Sequence, residues 1–298
     1  MNDSGHTSDH YAIVGNPVAH SKSPEIHAAF ARQTAQHIVY DRIFCEIGAF
    51  AETVRRFQAE GGKGLNITLP FKHQAFDFAT RKSARAELAG AVNTLAFSAS
   101  GNAGAGDAMG DNTDGAGLTR DISVNLGYPL RDKRVLLLGA GGASFGVAGP
   151  LLGEAPRVLV IANRTLSKAQ ALVQRFVKLS AGCEISASSY AALGASAATQ
   201  FDVVINATSA GLSGEMPALP QNLFALGALA YDMVYGKTTP FMQFARACGA
   251  SGVQIADGLG MLVEQAAESF LLWRGVRPAT APVIAALRNE HPGLRTRD

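Results

Sequence analysis

Short apolar runs alternate with longer stretches in which apolar residues return every three or four positions, the pattern of strands alternating with amphipathic helices. A first strand is expected over 11–14, closed by Gly15-Asn16-Pro17. A helix follows from Ser23, which can cap it, with Pro24 at its first position and Ile26, Ala29 and Phe30 on one apolar face. A second strand over 38–47, a helix over 50–60 stopped by Gly61-Gly62, and a third strand over 64–68 continue the series. Such alternation implies parallel βαβ units. The stretch 98–110, rich in Gly, Ala and Ser, reads as a loose hairpin loop, and 112–125 as a helix crossing to a second domain. A new series then begins with a strand over 134–138, a glycine turn, a helix, and a strand over 158–161. Further strands are expected over 201–205, 230–233 and 253–255, then helices over 259–274 and 281–289, with residues from 291 frayed. There are no internal repeats.

Composition narrows the class. At 298 residues the chain is long enough for about two domains. Hydrophobic residues make up 47% and charged residues 17%, with a net charge of +2, which excludes an intrinsically disordered chain. No block of like charges points to nucleic acid or a membrane surface, and no run is long enough to span a bilayer. The N-terminal ten residues are polar and unlike a signal peptide. Cys45, Cys183 and Cys248 are widely spaced, so reduced thiols fit better than disulfides, and the seven histidines form no metal-ligand cluster. The expectation is a cytoplasmic protein, monomer or homodimer, acting on a small molecule without a metal.

One turn carries a cofactor signal. The strand 135–138 runs directly into Gly139-Ala140-Gly141-Gly142-Ala143 and then a helix. This is where a dinucleotide-binding turn seats a pyrophosphate, because glycines admit the backbone closely and the helix N-terminus offers N–H groups. Ser144 stands where a third glycine is usual; a tight turn that binds nothing is the plainer alternative. The next strand ends at Asn163, Arg164, Thr165, with Lys168 following. An NAD-selective site places an acid there for the ribose hydroxyl. Guanidinium, hydroxyl and ammonium groups attract a 2′-phosphate instead, so NADP is the expected cofactor. Arg164 and Lys168 could be solvated charges, but cations in a first helical turn oppose the helix dipole, and a bound anion accounts for them better.

The N-terminal half holds scattered polar groups. Ser21 and Ser23 lie beside a helix start, a favourable place for a carboxylate. Asn66, Thr68 and Lys72 follow within seven residues, then Asn93 and Asp114. Singly, each has a bland reading: a cap for Ser23 or Asp114, a turn residue for Asn93, a surface charge for Lys72.

Together the motifs GNPVAHSKSP, GLNITLPFK, AGAVNT, GDNTDG, GAGGAS, NRT, INATSAG, YDMVYG and ADGLGMLVEQAA make the chain, from Tyr11 to about Leu287, resemble the shikimate dehydrogenase family. The resemblance implies an α/β fold of two domains. A substrate-binding domain would cover 1–111 with returning helices from 259–298, and a Rossmann NADP-binding domain 112–258, with the active site in the cleft between them. It implies reversible NADPH-dependent reduction of 3-dehydroshikimate to shikimate, on the route to chorismate and the aromatic amino acids. Lys72 and Asp114 would form the catalytic pair. Ser21 and Ser23 would hold the substrate carboxylate near Tyr235, and Asn66, Thr68, Asn93 and Gln265 would contact the rest of the substrate. Thr208 would belong to the cofactor site, and Met233 and Gly258 would lie against the nicotinamide. Two departures stand out: Phe145 replaces an arginine common in the family, and the loop before Asp111 is a few residues longer. A dual quinate and shikimate enzyme using NAD is disfavoured by the missing acid at Asn163. A non-catalytic NADP-binding regulator is disfavoured by the intact Lys72 and Asp114.

Overall fold

The computed structural model describes residues 8–98, 107–180, 182–194, 200–208, 216–248 and 252–290. The chain divides into two compact units, Met1–Thr113 with Gln265–Val283, and Asp114–Glu264 with Ile284–Asp298. The returning segment thus starts inside a helix, at Gln265 rather than at 259. Residues from 284 group with the second unit, where Arg288 pairs with Asp257 at 3.6 Å.

The first unit is built on strands β1 (Asp9–Gly15), β2 (Ile38–Phe44), β3 (Gly64–Ile67), β4 (Arg81–Lys82), β5 (Thr94–Phe97) and β6 (Ala108–Asp111). Their order is β2-β1-β3-β5-β6-β4. The strands expected from sequence, β1 to β3, are parallel, but β5 runs antiparallel to both β3 and β6, so the sheet is mixed. The β5–β6 hairpin is joined by the predicted loop, of which residues 99–106 lie outside the described residues. The second strand ends at Phe44, short of the expected 47, where the chain leaves the sheet edge.

Helices α1 (Ser23–Thr34), α2 (Phe50–Ala59), α3 (Lys72–Phe78) and α4 (Ala84–Ala89) connect these strands. In α2, Phe50, Val54 and Phe57 recur at helical spacing and are buried, joining a core with Leu65, Phe71 and Leu95. Each fully buried side chain of this kind contributes about 1.5–3 kcal/mol. The N-cap of α1 is Lys22, not Ser23, with no side-chain capping bond. Ser23 is the first helical residue, and its hydroxyl faces Ser21.

The second unit begins with α5 (Asp114–Arg120) and a π-helical turn, Asp121–Asn125. Its sheet contains β7 (Arg134–Leu138), β8 (Val158–Asn163), β9 (Glu184–Ser189), β10 (Phe201–Asn206), β11 (Phe224–Asp232) and β12 (Gln254–Asp257). The order is β12-β11-β10-β7-β8-β9, with every pair parallel. This is the doubly wound Rossmann arrangement, whose order reverses between β7 and β10. The expected strand over 230–233 starts earlier, at Phe224, with Gly227 at φ +68° and a register shift near its start.

Helices α6 (Gly142–Gly153), α7 (Leu166–Phe176), α8 (Pro240–Ala247), α9 (Leu259–Arg274) and α10 (Ala281–Glu290) complete the described chain, α9 passing from the second unit into the first at Gln265. A Cβ on Gly115 of α5 would overlap the Pro150 ring of α6, and one on Gly260 would overlap the Asp121 carboxylate, so both glycines mark close approaches. No helix among the described residues is long and apolar enough to cross a membrane. Residues from 291 lie outside the described set.

Candidate functional site

In the second unit the expected cofactor residues gather at one edge of one sheet. The glycine turn follows β7, Asn163 ends β8, Thr208 follows β10, Met233 follows β11, and Gly258 follows β12. All these strands are parallel, so their carboxyl ends share an edge, where open α/β sheets bind ligands. Gly139 has φ +106°, a conformation only glycine adopts readily, and a Cβ there would stand 3.2 Å from the Ala207 carbonyl oxygen. Gly141 differs: no protein atom lies within 4 Å of where its Cβ would be. The fold does not demand a glycine at 141, whereas a close-lying pyrophosphate would. Gly141 caps α6 without a side-chain bond, leaving first-turn N–H groups for an anion. Gly142 and Ala143 form that first turn, and Ala140 is buried behind it. Ser144, in the third glycine position, is completely buried, small enough to keep the helix packed closely. These residues fit a dinucleotide.

Arg164, Thr165 and Lys168 are exposed at the start of α7, where Thr165 is the N-cap and makes no side-chain capping bond. Asn163 instead ties the corner by donating Nδ2 to the Thr165 carbonyl at 2.9 Å. Phe145 places its ring 5.9 Å beneath the Arg175 guanidinium. Thr208 donates to Asn206 Oδ1 at 2.7 Å, and Asn206 Nδ2 donates to Asp232 at 3.1 Å, so the ends of β10 and β11 are held together. A Cβ on Gly258 would overlap the Met233 carbonyl oxygen, which brings the two expected nicotinamide neighbours into contact. Tyr235 is half-buried in the segment after β11.

In the first unit the polar residues form two hydrogen-bonded groups. Ser21 donates to Ser23 Oγ at 3.2 Å. Tyr40 donates to Asn66 Oδ1 at 2.7 Å. Asn66 Nδ2 donates to Ser269 at 2.9 Å and to Thr94 at 3.1 Å. Thr94 donates to Asn93 Oδ1 at 3.0 Å, and Asn93 Nδ2 donates to Gln265 Oε1 at 3.3 Å. Three expected substrate contacts, Asn66, Asn93 and Gln265, are therefore linked, and Ser21 and Ser23 are paired with each other. Thr68 follows β3 directly, its N–H donating to the Val14 carbonyl at 2.9 Å. Lys72 is the half-buried first residue of α3, and Asp114 the buried first residue of α5 in the other unit.

Sequence reasoning missed several members. Ser269 lies four residues after Gln265 on α9, hence on the same face, and that spacing was a usable signal. Tyr40 had none. Arg85 grips Asp111 with two bonds of 2.7 and 2.6 Å and reaches Glu268 at 3.2 Å. Burial alone would raise the Asp111 pKa, but the Arg85 pairing holds it below the ordinary value. Asp111 also accepts from the Asn112 N–H at 2.8 Å, which fixes the strand end leading to Asp114.

His27, four residues after Ser23 on α1, is completely buried, and burial lowers its pKa to about 3 against a partial offset from Asn66. As pH falls, the unfolded chain, with an ordinary imidazole, takes the proton first. This contribution to stability is therefore complete above about pH 6.5 and is lost progressively towards about pH 3. By pH 5 the loss is about 2 kcal/mol. Denaturant unfolding at pH 7 and pH 5 should show that loss in the wild type and much less in His27→Phe. Equal losses would clear His27 as the source.

Among the described residues no cluster of His, Cys, Asp or Glu could hold a metal ion. Profiles of known families match three stretches: a shikimate dehydrogenase substrate binding domain over 13–95, a shikimate/quinate 5-dehydrogenase over 123–213, and a shikimate 5′-dehydrogenase C-terminal domain over 258–288. The shikimate dehydrogenase (NADP(+)) of Nitrosospira multiformis is 56% identical over 95% of this chain and 98% of its own. Among solved structures, an Ael1 enzyme from Pseudomonas putida superposes with a TM-score of 0.85 at 48% identity, covering 94% of this chain and 98% of its own. Shikimate 5-dehydrogenase from Thermus thermophilus, in complex with NADP(H) and shikimate, gives 0.79 at 31% identity over 94% and 99%.

Proposed function

The chain belongs to the shikimate dehydrogenase family, and on that premise we propose that Lys72 and Asp114 carry out its acid–base chemistry. It is an oxidoreductase that uses NADP to interconvert 3-dehydroshikimate and shikimate in aromatic biosynthesis. When bound, NADPH would supply the hydride that reduces the ketone carbon. As that carbon is reduced, its oxygen gains negative charge, and the Lys72 ammonium stabilises the charge and donates the proton. Asp114 orients the ammonium and accepts from the neighbouring ring hydroxyl. Ser21 and Ser23 donate to the carboxylate with Tyr235 beside them, while Asn66, Thr68, Asn93 and Gln265 meet the remaining polar edge. Arg164, Thr165 and Lys168 would hold the 2′-phosphate, and the turn 139–143 the pyrophosphate. The buried network joining Asn66, Asn93 and Gln265, with the paired serines Ser21 and Ser23 in the same unit, is the observation that supports this reading best, because it gathers donors and acceptors for one small polyhydroxylated acid. The reading also takes the enzyme to work in the cytoplasm, consistent with three free thiols, as a monomer or homodimer that binds no nucleic acid.

Initial rates of shikimate and quinate oxidation with NADP and with NAD test it. Fast turnover of shikimate with NADP is expected; comparable quinate oxidation with NAD would replace the reading with a dual-specificity enzyme. No turnover with any pair would leave a non-catalytic nucleotide-binding protein. Ser21→Ala and Ser23→Ala should each raise the Michaelis constant for shikimate by the equivalent of about 1 kcal/mol or somewhat more. Because Ser23 caps no helix end, its melting temperature should fall little. A raised Michaelis constant for NADP with shikimate unaffected would show the carboxylate site to be misplaced.

A further inference from the structure

The strand β2 sits at the edge of its sheet, and of its seven side chains only Tyr40 is buried. We propose that Tyr40 is a positioning residue for the substrate: its hydroxyl holds the Asn66 amide and sets its orientation. This rests on the reading of Asn66 as a substrate contact.

The phenol donates to Asn66 Oδ1 at 2.7 Å, which turns the other end of that amide, Nδ2, towards Thr94 and Ser269. An amide has one acceptor end and one donor end, so a fixed donor on the first decides where the second points. Without the phenol, a buried acceptor loses its partner, and the amide is no longer held at that end. The ring itself is held rigid. His27 stacks on it with centroids 4.2 Å apart and planes 7° from parallel, and Trp273 lies against it at 6.3 Å. Ser23 and His27 are one turn apart on α1, so a single helical turn carries both the carboxylate contact and the support of the phenol. Rotamers locked by packing around a binding group are what preserve its geometry.

A tyrosine that served only the fold would affect the folded fraction, hence kcat, and leave affinity alone. A positioning tyrosine weakens contacts made equally in the ground and transition states, so KM rises while kcat holds. For Tyr40→Phe, KM for shikimate should rise about ten-fold, with kcat within about two-fold of wild type and KM for NADP unchanged. Combining it with Asn66→Ala should raise KM by less than the product of the two single effects, because Tyr40 acts through Asn66 and both remove one linkage. His27→Phe, which keeps a flat ring under the phenol, should leave KM for shikimate within about two-fold. An unchanged KM in Tyr40→Phe beside normal wild-type turnover would overturn the proposal alone. So would single effects that simply multiply, a rise in His27→Phe matching that in Tyr40→Phe, or loss of folded Tyr40→Phe protein by circular dichroism. Absence of shikimate oxidation by the wild type would instead remove the underlying substrate reading, and the proposal with it.

Discussion

Lys72→Ala is expected to lower turnover by about two to four orders of magnitude while changing shikimate affinity far less. The reason is where the charge develops. In the bound ketone the oxygen is nearly neutral, and an ammonium beside it gains little; as the alkoxide forms, the same ammonium stabilises it strongly and delivers the proton. Lys72 is suited to this because it opens α3 and its main chain is fixed, its carbonyl accepting from the Val92 N–H at 2.9 Å. Asp114→Asn should damage both turnover and affinity, since Asp114 is read as orienting the ammonium and gripping a hydroxyl. Steady-state rates with saturating NADP, alongside shikimate dissociation constants, separate these effects. Near-normal turnover in Lys72→Ala would reject its assigned role.

Arg164→Ala should weaken NADP binding by about 1.5–3 kcal/mol and leave NAD binding almost unchanged. The guanidinium is exposed at the corner between β8 and α7, so its loss would remove the proposed phosphate partner without opening a cavity. Asn163→Asp should go further, because a carboxylate repels a 2′-phosphate yet accepts from a free 2′-hydroxyl. Asn163 already bonds the Thr165 carbonyl through Nδ2, and a carboxylate lacks that donor, so the corner would also loosen. The wild-type advantage of NADP should shrink as salt rises, since the charges are open to screening. Dissociation constants of both nucleotides for wild type and the two variants decide this. Equal losses of NADP and NAD in Arg164→Ala would assign Arg164 to the fold or to a contact shared by both cofactors.

How much of this was legible differed between the two halves. Five of the six strands of the nucleotide-binding half were read, because a parallel sheet buried on both faces writes itself as short apolar runs, and β7 passes straight into Gly139, whose positive φ the backbone requires; β9, a largely polar edge strand, was not read. At Gly139 the requirement is local, a positive φ, and so it is visible in the sequence. The first half was read less fully. Its β5 and β6 are short and antiparallel, and the predicted cap at Ser23 proved to be Lys22, because Ser23 is itself the first helical residue and its hydroxyl accepts from Ser21.

The sequence by itself determined the alternation of strands and helices, the glycine turn, the cationic corner after β8 and, through its ordered motifs, the family. Each of these depends on residues close together in the chain. Only the tertiary structure decided that Tyr40, Thr94 and Ser269 belong with the residues expected to meet the substrate. Tyr40 meets Asn66 across 26 positions of chain, and Ser269 meets it across 203. A hydrogen bond needs its partners within about 3 Å in space, and no spacing along the chain encodes that; the fold alone brings such groups together.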